Sequence, residues 1–113
     1  MSAGGGFPVT WTQAWTLLDL AEDKPIRRMF GGLAVCLVRT HAGVFAVHDG
    51  CTHEAVPLSE GDVDDGAIEC WRHGSRFDLA TGAVRNLPAV QPVQVYPVQI
   101  TDDQVLVDLP PPG

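Results

Sequence analysis

Four residues able to hold an inorganic centre stand in two short clips, Cys51-Thr52-His53 and, after sixteen intervening residues, Cys70-Trp71-Arg72-His73. Each clip offers one soft sulfur and one borderline imidazole nitrogen, and two loops brought together can point all four inward. Thiolate with neutral imidazole suits zinc or an iron-sulfur cluster, so ligand type alone leaves both open. Cys36 lies among the apolar neighbours of Leu33 to Val38 and reads as a small buried hydrophobe. His41 and His48 lack a cysteine at ligand spacing and read as ordinary turn and strand-end histidines. Three cysteines cannot all pair with one another, so metal ligation outranks a disulfide framework.

The elements that must position these clips are short strands. Runs dense in β-branched and aromatic residues alternate with Gly, Asp and Pro, which predicts an all-β fold of antiparallel strands and no strong helix. The expected strands are Trp11 to Leu18, Ile26 to Phe30, Leu33 to Arg39, Val44 to His48, Ala67 to Cys70, Val93 to Ile100 and Val105 to Leu109. Gly31-Gly32, Ala42-Gly43 and Asp102-Asp103 separate neighbouring runs as hairpin turns. Pro97 inside an apolar alternation marks a bulge or an edge strand, because proline cannot donate to a ladder. From Asp49 to Arg85 the regular spacing breaks, and loops on a rigid scaffold are where chemistry sits.

Length and charge narrow the function. The 113 residues allow one domain, expected over 8–109 with the clips in about 49–85 and mobile ends at 1–7 and 110–113. Fourteen acidic against seven basic residues give a formal charge of -7, which excludes a nucleic-acid-binding face. No apolar run is long enough to span a bilayer, and the first residues have neither a basic nor an apolar signal region; a cytoplasmic location is expected.

The residues around the clips carry more. Cys51-Thr-His53, Leu58-Ser59-Glu60-Gly61, Cys70-Trp-Arg-His73-Gly74-Ser75-Arg76-Phe77-Asp78, Thr81-Gly82 and Pro88 together closely resemble the Rieske [2Fe-2S] ferredoxin family, over roughly Val35 to Leu109. The resemblance implies an antiparallel β-sandwich or barrel carrying a small subdomain of cluster-binding loops. It implies that Cys51 and Cys70 bind one iron, and that His53 and His73 bind the other through imidazole nitrogen. One cluster per chain follows, at a potential of roughly -150 to +300 mV. The same four residues could instead brace two loops as a Cys2His2 zinc site, although the spacing is unlike that of zinc modules.

Within the family, high-potential respiratory members carry an extra cysteine in each ligand loop; the matching places here are Val56 and Arg72, so that disulfide is absent. Those proteins also donate serine and tyrosine hydroxyls to the cluster sulfurs. Here Ser75 is kept and Phe77 has no hydroxyl, so a potential below the respiratory type is expected. Trp71 stands where relatives commonly have proline, and either shields the cluster or meets a partner. Gly61, Gly74 and Gly82 are expected at close approaches or positive φ, and Leu87-Pro88-Ala89 resembles the third loop that covers the cluster. The acidic residues Glu54, Glu60, Asp62, Asp64, Asp65 and Glu69 form either a solvated face or a docking face for a basic partner.

The resemblance implies an electron carrier rather than an enzyme, passing single electrons from a flavin-dependent reductase to a terminal non-haem iron oxygenase. Two alternatives stay open: a client in iron-sulfur cluster assembly, and the small subunit of a nitrite-reductase-like enzyme. The four intact ligands count against the second.

Overall fold

The apolar run from Leu33 to Val38 is too continuous for a strand with one wet face, and its surroundings show why. The computed structural model describes residues 11–51, 56–72 and 74–110; the segments 1–10 and 111–113, which hold most of both expected mobile ends, lie outside them. In chain order the strands are β1 (Trp11–Thr16), β2 (Ile26–Phe30), β3 (Leu33–Thr40), β4 (Gly43–His48), β5 (Asp62–Asp64), β6 (Ala67–Glu69), β7 (Arg76–Asp78), β8 (Val95–Tyr96), β9 (Val98–Thr101) and β10 (Gln104–Asp108). Single 3-10 turns at Leu17–Asp19 and Leu58–Glu60 are the only helical pieces among the described residues, and none is long enough to cross a membrane. The expected all-β fold is the one found.

Three antiparallel sheets stack around β3. The central sheet runs β2-β3-β4-β8, an outer sheet runs β1-β10-β9, and a small sheet runs β5-β6-β7. Because side chains alternate across a strand, Val35 and Leu37 join a core with Ala14, Ala46, Tyr96 and Val107 toward the outer sheet. Cys36 and Val38 join a second core on the other face, with Val47, Cys51, Leu58, Ile68, Cys70 and Phe77. β3 is therefore buried on both faces, which a continuous apolar run requires. Each fully buried Val or Leu here is worth about 1.5–3 kcal/mol over its exposed state.

Several boundaries differ from the sequence reading, each for a local reason. β1 stops at Thr16, because Leu17–Asp19 turns as a 3-10 piece and leaves Leu18 exposed. The run Val93 to Ile100 is two strands: β8 pairs with β4 in the central sheet, and β9 pairs with β10 in the outer one. Pro97, between them, is where the chain changes sheets, so its missing N–H costs no ladder bond. β6 ends at Glu69, one residue before Cys70, and it is flanked by β5 and β7, which were not expected. The β5–β6 turn is Asp65-Gly66 with φ of 53° and 70°, the conformation that a two-residue Asp-Gly hairpin favours. Asp102-Asp103 adopts the same positive φ pair at the expected β9–β10 turn.

Candidate metal centre

The first clip leaves β4 through Asp49 and Gly50. The Cys51 amide donates to the Val56 carbonyl at 2.9 Å, closing the mouth of the first loop. Beyond it the buried Leu58 anchors the 3-10 turn in the core. Asp49 ties the two ends together: its Oδ1 accepts from the Ser59 amide and its Oδ2 from the Ser59 hydroxyl, both at 2.7 Å. Arg27 on β2 faces the same carboxylate at 3.6 Å. His53 lies outside the described residues, as does Glu54.

The second clip fills the loop between β6 and β7. Ladder pairs Ile68 with Phe77 and Glu69 with Arg76 set the hairpin, which carries Cys70 at its rim. The Cys70 amide donates to the Ser75 carbonyl at 2.7 Å, and the Gly74 amide to the Cys70 carbonyl at 2.9 Å. Gly74, at φ +77°, supplies the left-handed residue that this tight loop needs. Trp71 is 53% exposed and Arg72 also faces solvent; His73 lies outside the described residues. Trp71 is thus no buried lid.

A third loop is laid against the second. The Ala89 amide donates to Ser75 Oγ at 3.0 Å, and Ser75 is fully buried. Accepting from Ala89 does not use the hydroxyl's own proton. Asn86 bridges the loops from outside, donating to the Gly74 carbonyl at 2.9 Å and accepting from the Arg76 amide at 2.8 Å. Pro88, in a cis bond to Leu87, is half-buried, while Leu87 and Val90 are 73% and 71% exposed. Gly82 has φ +80°, and a Cβ there would collide with the Val93 carbonyl, so the expectation of close approach holds. At Gly61 the approach holds without positive φ: the backbone is extended, but a Cβ would meet the Glu69 carbonyl.

Charge around the loops is more internal than the composition suggests. Arg76 stands 3.9 Å from Asp64 and 4.0 Å from Glu69, and Arg85 stands 3.6 Å from Asp65 and 2.9 Å from Asp78. Three of the six residues of the expected acidic docking face are therefore met by arginines of the same subdomain. Glu60 and Asp62 remain exposed. The Arg85 guanidinium on Asp78, helped by the Thr81 and Ala80 amides, holds that carboxyl below the usual carboxylate range. Burial, then the Asp49 charge, pushes the Cys36 thiol far up, in keeping with an inert core residue.

Cys51 and Cys70, from separate loops, are 7% and 1% exposed, free of disulfides, and part of one apolar cluster with Val56, Phe77 and Ala89. Two buried soft donors, each followed in sequence by an imidazole, fit an iron-sulfur group. Phe77 is fully buried and brings no hydroxyl; Val56 is core and Arg72 surface, so neither ligand loop offers a second sulfur. Sequence reasoning quoted Ser59 only within the resemblance and missed the roles of Asp49 and Asn86. The signal was a short polar residue at each end of a loop, where such side chains replace backbone bonds.

Comparison with known proteins agrees with this geometry. Residues 10–97 match the Rieske [2Fe-2S] domain. The ferredoxin subunit of anthranilate 1,2-dioxygenase from Burkholderia cepacia is 38% identical over 99 residues, 88% of this chain and 92% of that one. The ferredoxin of carbazole 1,9a-dioxygenase from Nocardioides aromaticivorans IC177 superposes with a TM-score of 0.84 and 34% identity, covering 88% of this chain and 97% of that one. A chain from a complex of reduced oxygenase and oxidized ferredoxin in carbazole 1,9a-dioxygenase gives a TM-score of 0.82 at 29% identity, covering 88% of this chain and 93% of that one.

Proposed function

The chain belongs to the Rieske [2Fe-2S] domain family, and on that footing we propose that it is a ferredoxin passing single electrons from a flavin-dependent reductase to a terminal ring-hydroxylating oxygenase. The observation that carries this reading is the pair of buried, disulfide-free cysteines, Cys51 and Cys70, delivered by two loops to one apolar core. In it, Cys51 and Cys70 hold one iron, and His53 and His73 hold the other. When bound, the [2Fe-2S] cluster supplies a one-electron couple, less negative than a four-cysteine cluster because imidazole replaces two thiolates.

The chain's own residues do the rest. Val56, Leu58, Ile68, Phe77 and Ala89 exclude water from the sulfur side. Ser75, whose hydroxyl accepts from Ala89, would offer its own proton to the added negative charge of a reduced cluster, and Phe77 brings no second donor. Trp71, Leu87 and Val90 are the exposed apolar residues of the second and third loops, a surface suited to a partner's contact. Glu60 and Asp62, exposed between the two ligand clips in sequence, steer toward a basic partner. Three cysteines without a disulfide suit the reducing cytoplasm, where we place the protein.

Stopped-flow mixing tests the reading. Reduced protein is expected to be reoxidised rapidly by a ring-hydroxylating oxygenase and re-reduced by a flavin-dependent reductase with NADH. Rates should fall as salt rises past about 0.1 M, where the Debye length is about 10 Å. Absence of both exchanges, from protein holding its full iron, would contradict it.

A further inference from the structure

We propose that Arg27, Asp49 and Ser59 form a charged clip that fixes the first ligand loop and sets the protein's reduction potential through the opposed charges of Arg27 and Asp49. The proposal rests on the cluster reading above. The Asp49 side chain is fully buried, whereas that of Arg27 is 44% exposed. A buried carboxylate is costly unless its oxygens are satisfied, and these are: one accepts from the Ser59 amide, the other from the Ser59 hydroxyl. The second also faces Arg27 Nε at 3.6 Å.

The three residues come from different places. Arg27 is on β2 of the central sheet, Asp49 stands two residues before Cys51, and Ser59 lies in the 3-10 turn beyond the first loop. The clip therefore holds both ends of that loop to the sheet. Two residues of chain hold the Cα atoms of Asp49 and Cys51 within about 7 Å of each other, and a charge buried this close to the ligand loop is weakly screened. Reduction adds negative charge there. Asp49 opposes it, and Arg27 offsets Asp49.

Clamp and charge separate on substitution. Asp49→Asn keeps an acceptor for the Ser59 amide but removes the charge, so it is expected to raise the potential while retaining iron. Arg27→Gln is expected to lower the potential, since it leaves the carboxylate uncompensated. Asp49→Ala and Ser59→Ala break the clamp and are expected to lose iron faster, roughly tenfold for Asp49→Ala, the low end of what removing a group that orients metal ligands costs.

The experiment is a redox titration of each cluster-loaded variant, with iron release to a chelator and thermal melting followed in parallel. Opposite shifts for Asp49→Asn and Arg27→Gln support the proposal, since a merely structural role would not oppose them. Shifts of the same sign, or none, in variants with full iron overturn it. Should Asp49→Asn not retain iron, Arg27→Gln decides alone, and an unlowered potential overturns the proposal. A wild-type protein that takes up no two-iron cluster overturns the underlying reading instead.

Discussion

The two cores on either side of β3 are closed by different means. Toward the outer sheet, Val35, Leu37, Tyr96 and Val107 pack between seven strands whose ladders satisfy the backbone. Toward the ligand loops, the small three-stranded sheet has strands of three residues each, and much of the closure is polar. Asp49 with Ser59, Ser75 with Ala89, and Asn86 with Gly74 and Arg76 tie the three loops together. Apolar burial is tolerant of small shifts, whereas hydrogen bonds fix positions to a few tenths of an ångström. A scaffold that only has to be stable can use the first; loops that must aim ligands need the second.

That contrast predicts where substitutions act, and the largest effect should fall on the ligands alone. Cys70→Ser is expected to abolish cluster binding, measured as iron content, while the circular dichroism of the two larger sheets persists. If those sheets unfolded with the loss of iron, the two halves would not be independent in the way described. Leu37→Ala, in the outer core, should instead cost about 2–5 kcal/mol in urea unfolding of apo and loaded protein alike.

Gly82→Ala sharpens the comparison inside the loop region, since it combines a φ of +80° with a collision at the Val93 carbonyl. The expected cost is roughly 1–3 kcal/mol, with faster iron loss than an equally destabilising change in the outer core. Ser75→Ala removes one donor and also the acceptor of the Ala89 amide; in the fraction that holds its full iron the potential should fall by roughly 20 to 60 mV, the equivalent of one ordinary hydrogen bond. A potential that stayed put would remove Ser75 from the tuning groups.

The smallest effect concerns pH. Asp78 is held below the usual carboxylate range by Arg85, so its folded value lies under its unfolded one. Its contribution is therefore full above the ordinary carboxylate value of 3.8 and is lost as pH falls through the lower folded value. Urea midpoints should drop over that acidic window, by less in Arg85→Gln. Because the pair is partly exposed, the difference should be small.

Much of the molecule was legible in the sequence, and for identifiable reasons. The unbroken apolar run of β3 and the Asp102-Asp103 turn are local signals that tertiary structure respected. Cys51 and Cys70 stood out because soft donors at fixed spacing have few structural uses. The β5–β6 hairpin was hidden because its strands are three residues long, too short for period-two alternation to register, although Asp65-Gly66 signalled the turn. Pro97 was recognised as an irregularity, but that it marks a change of sheet depends on which strands lie beside β8 and β9. The clips of Asp49 and Asn86 join residues 10 to 12 apart across loops, and no periodicity encodes such pairs. The acidic residues were read as either a solvated or a docking face, and which of them are met by arginines was not legible, because Arg76 on β7 and Arg85 reach Asp64, Asp65 and Glu69 only through the folded hairpins.

The central claim is that two sulfurs and two imidazoles of this chain hold one redox-active cluster. Electron paramagnetic resonance of the dithionite-reduced protein, with iron, sulfide and zinc measured on the same sample, tests it most directly. The predicted result is a rhombic signal with an average g below that of four-cysteine clusters, and about two irons per chain. A silent sample carrying stoichiometric zinc after anaerobic preparation, or a signal of the four-cysteine type, would contradict it.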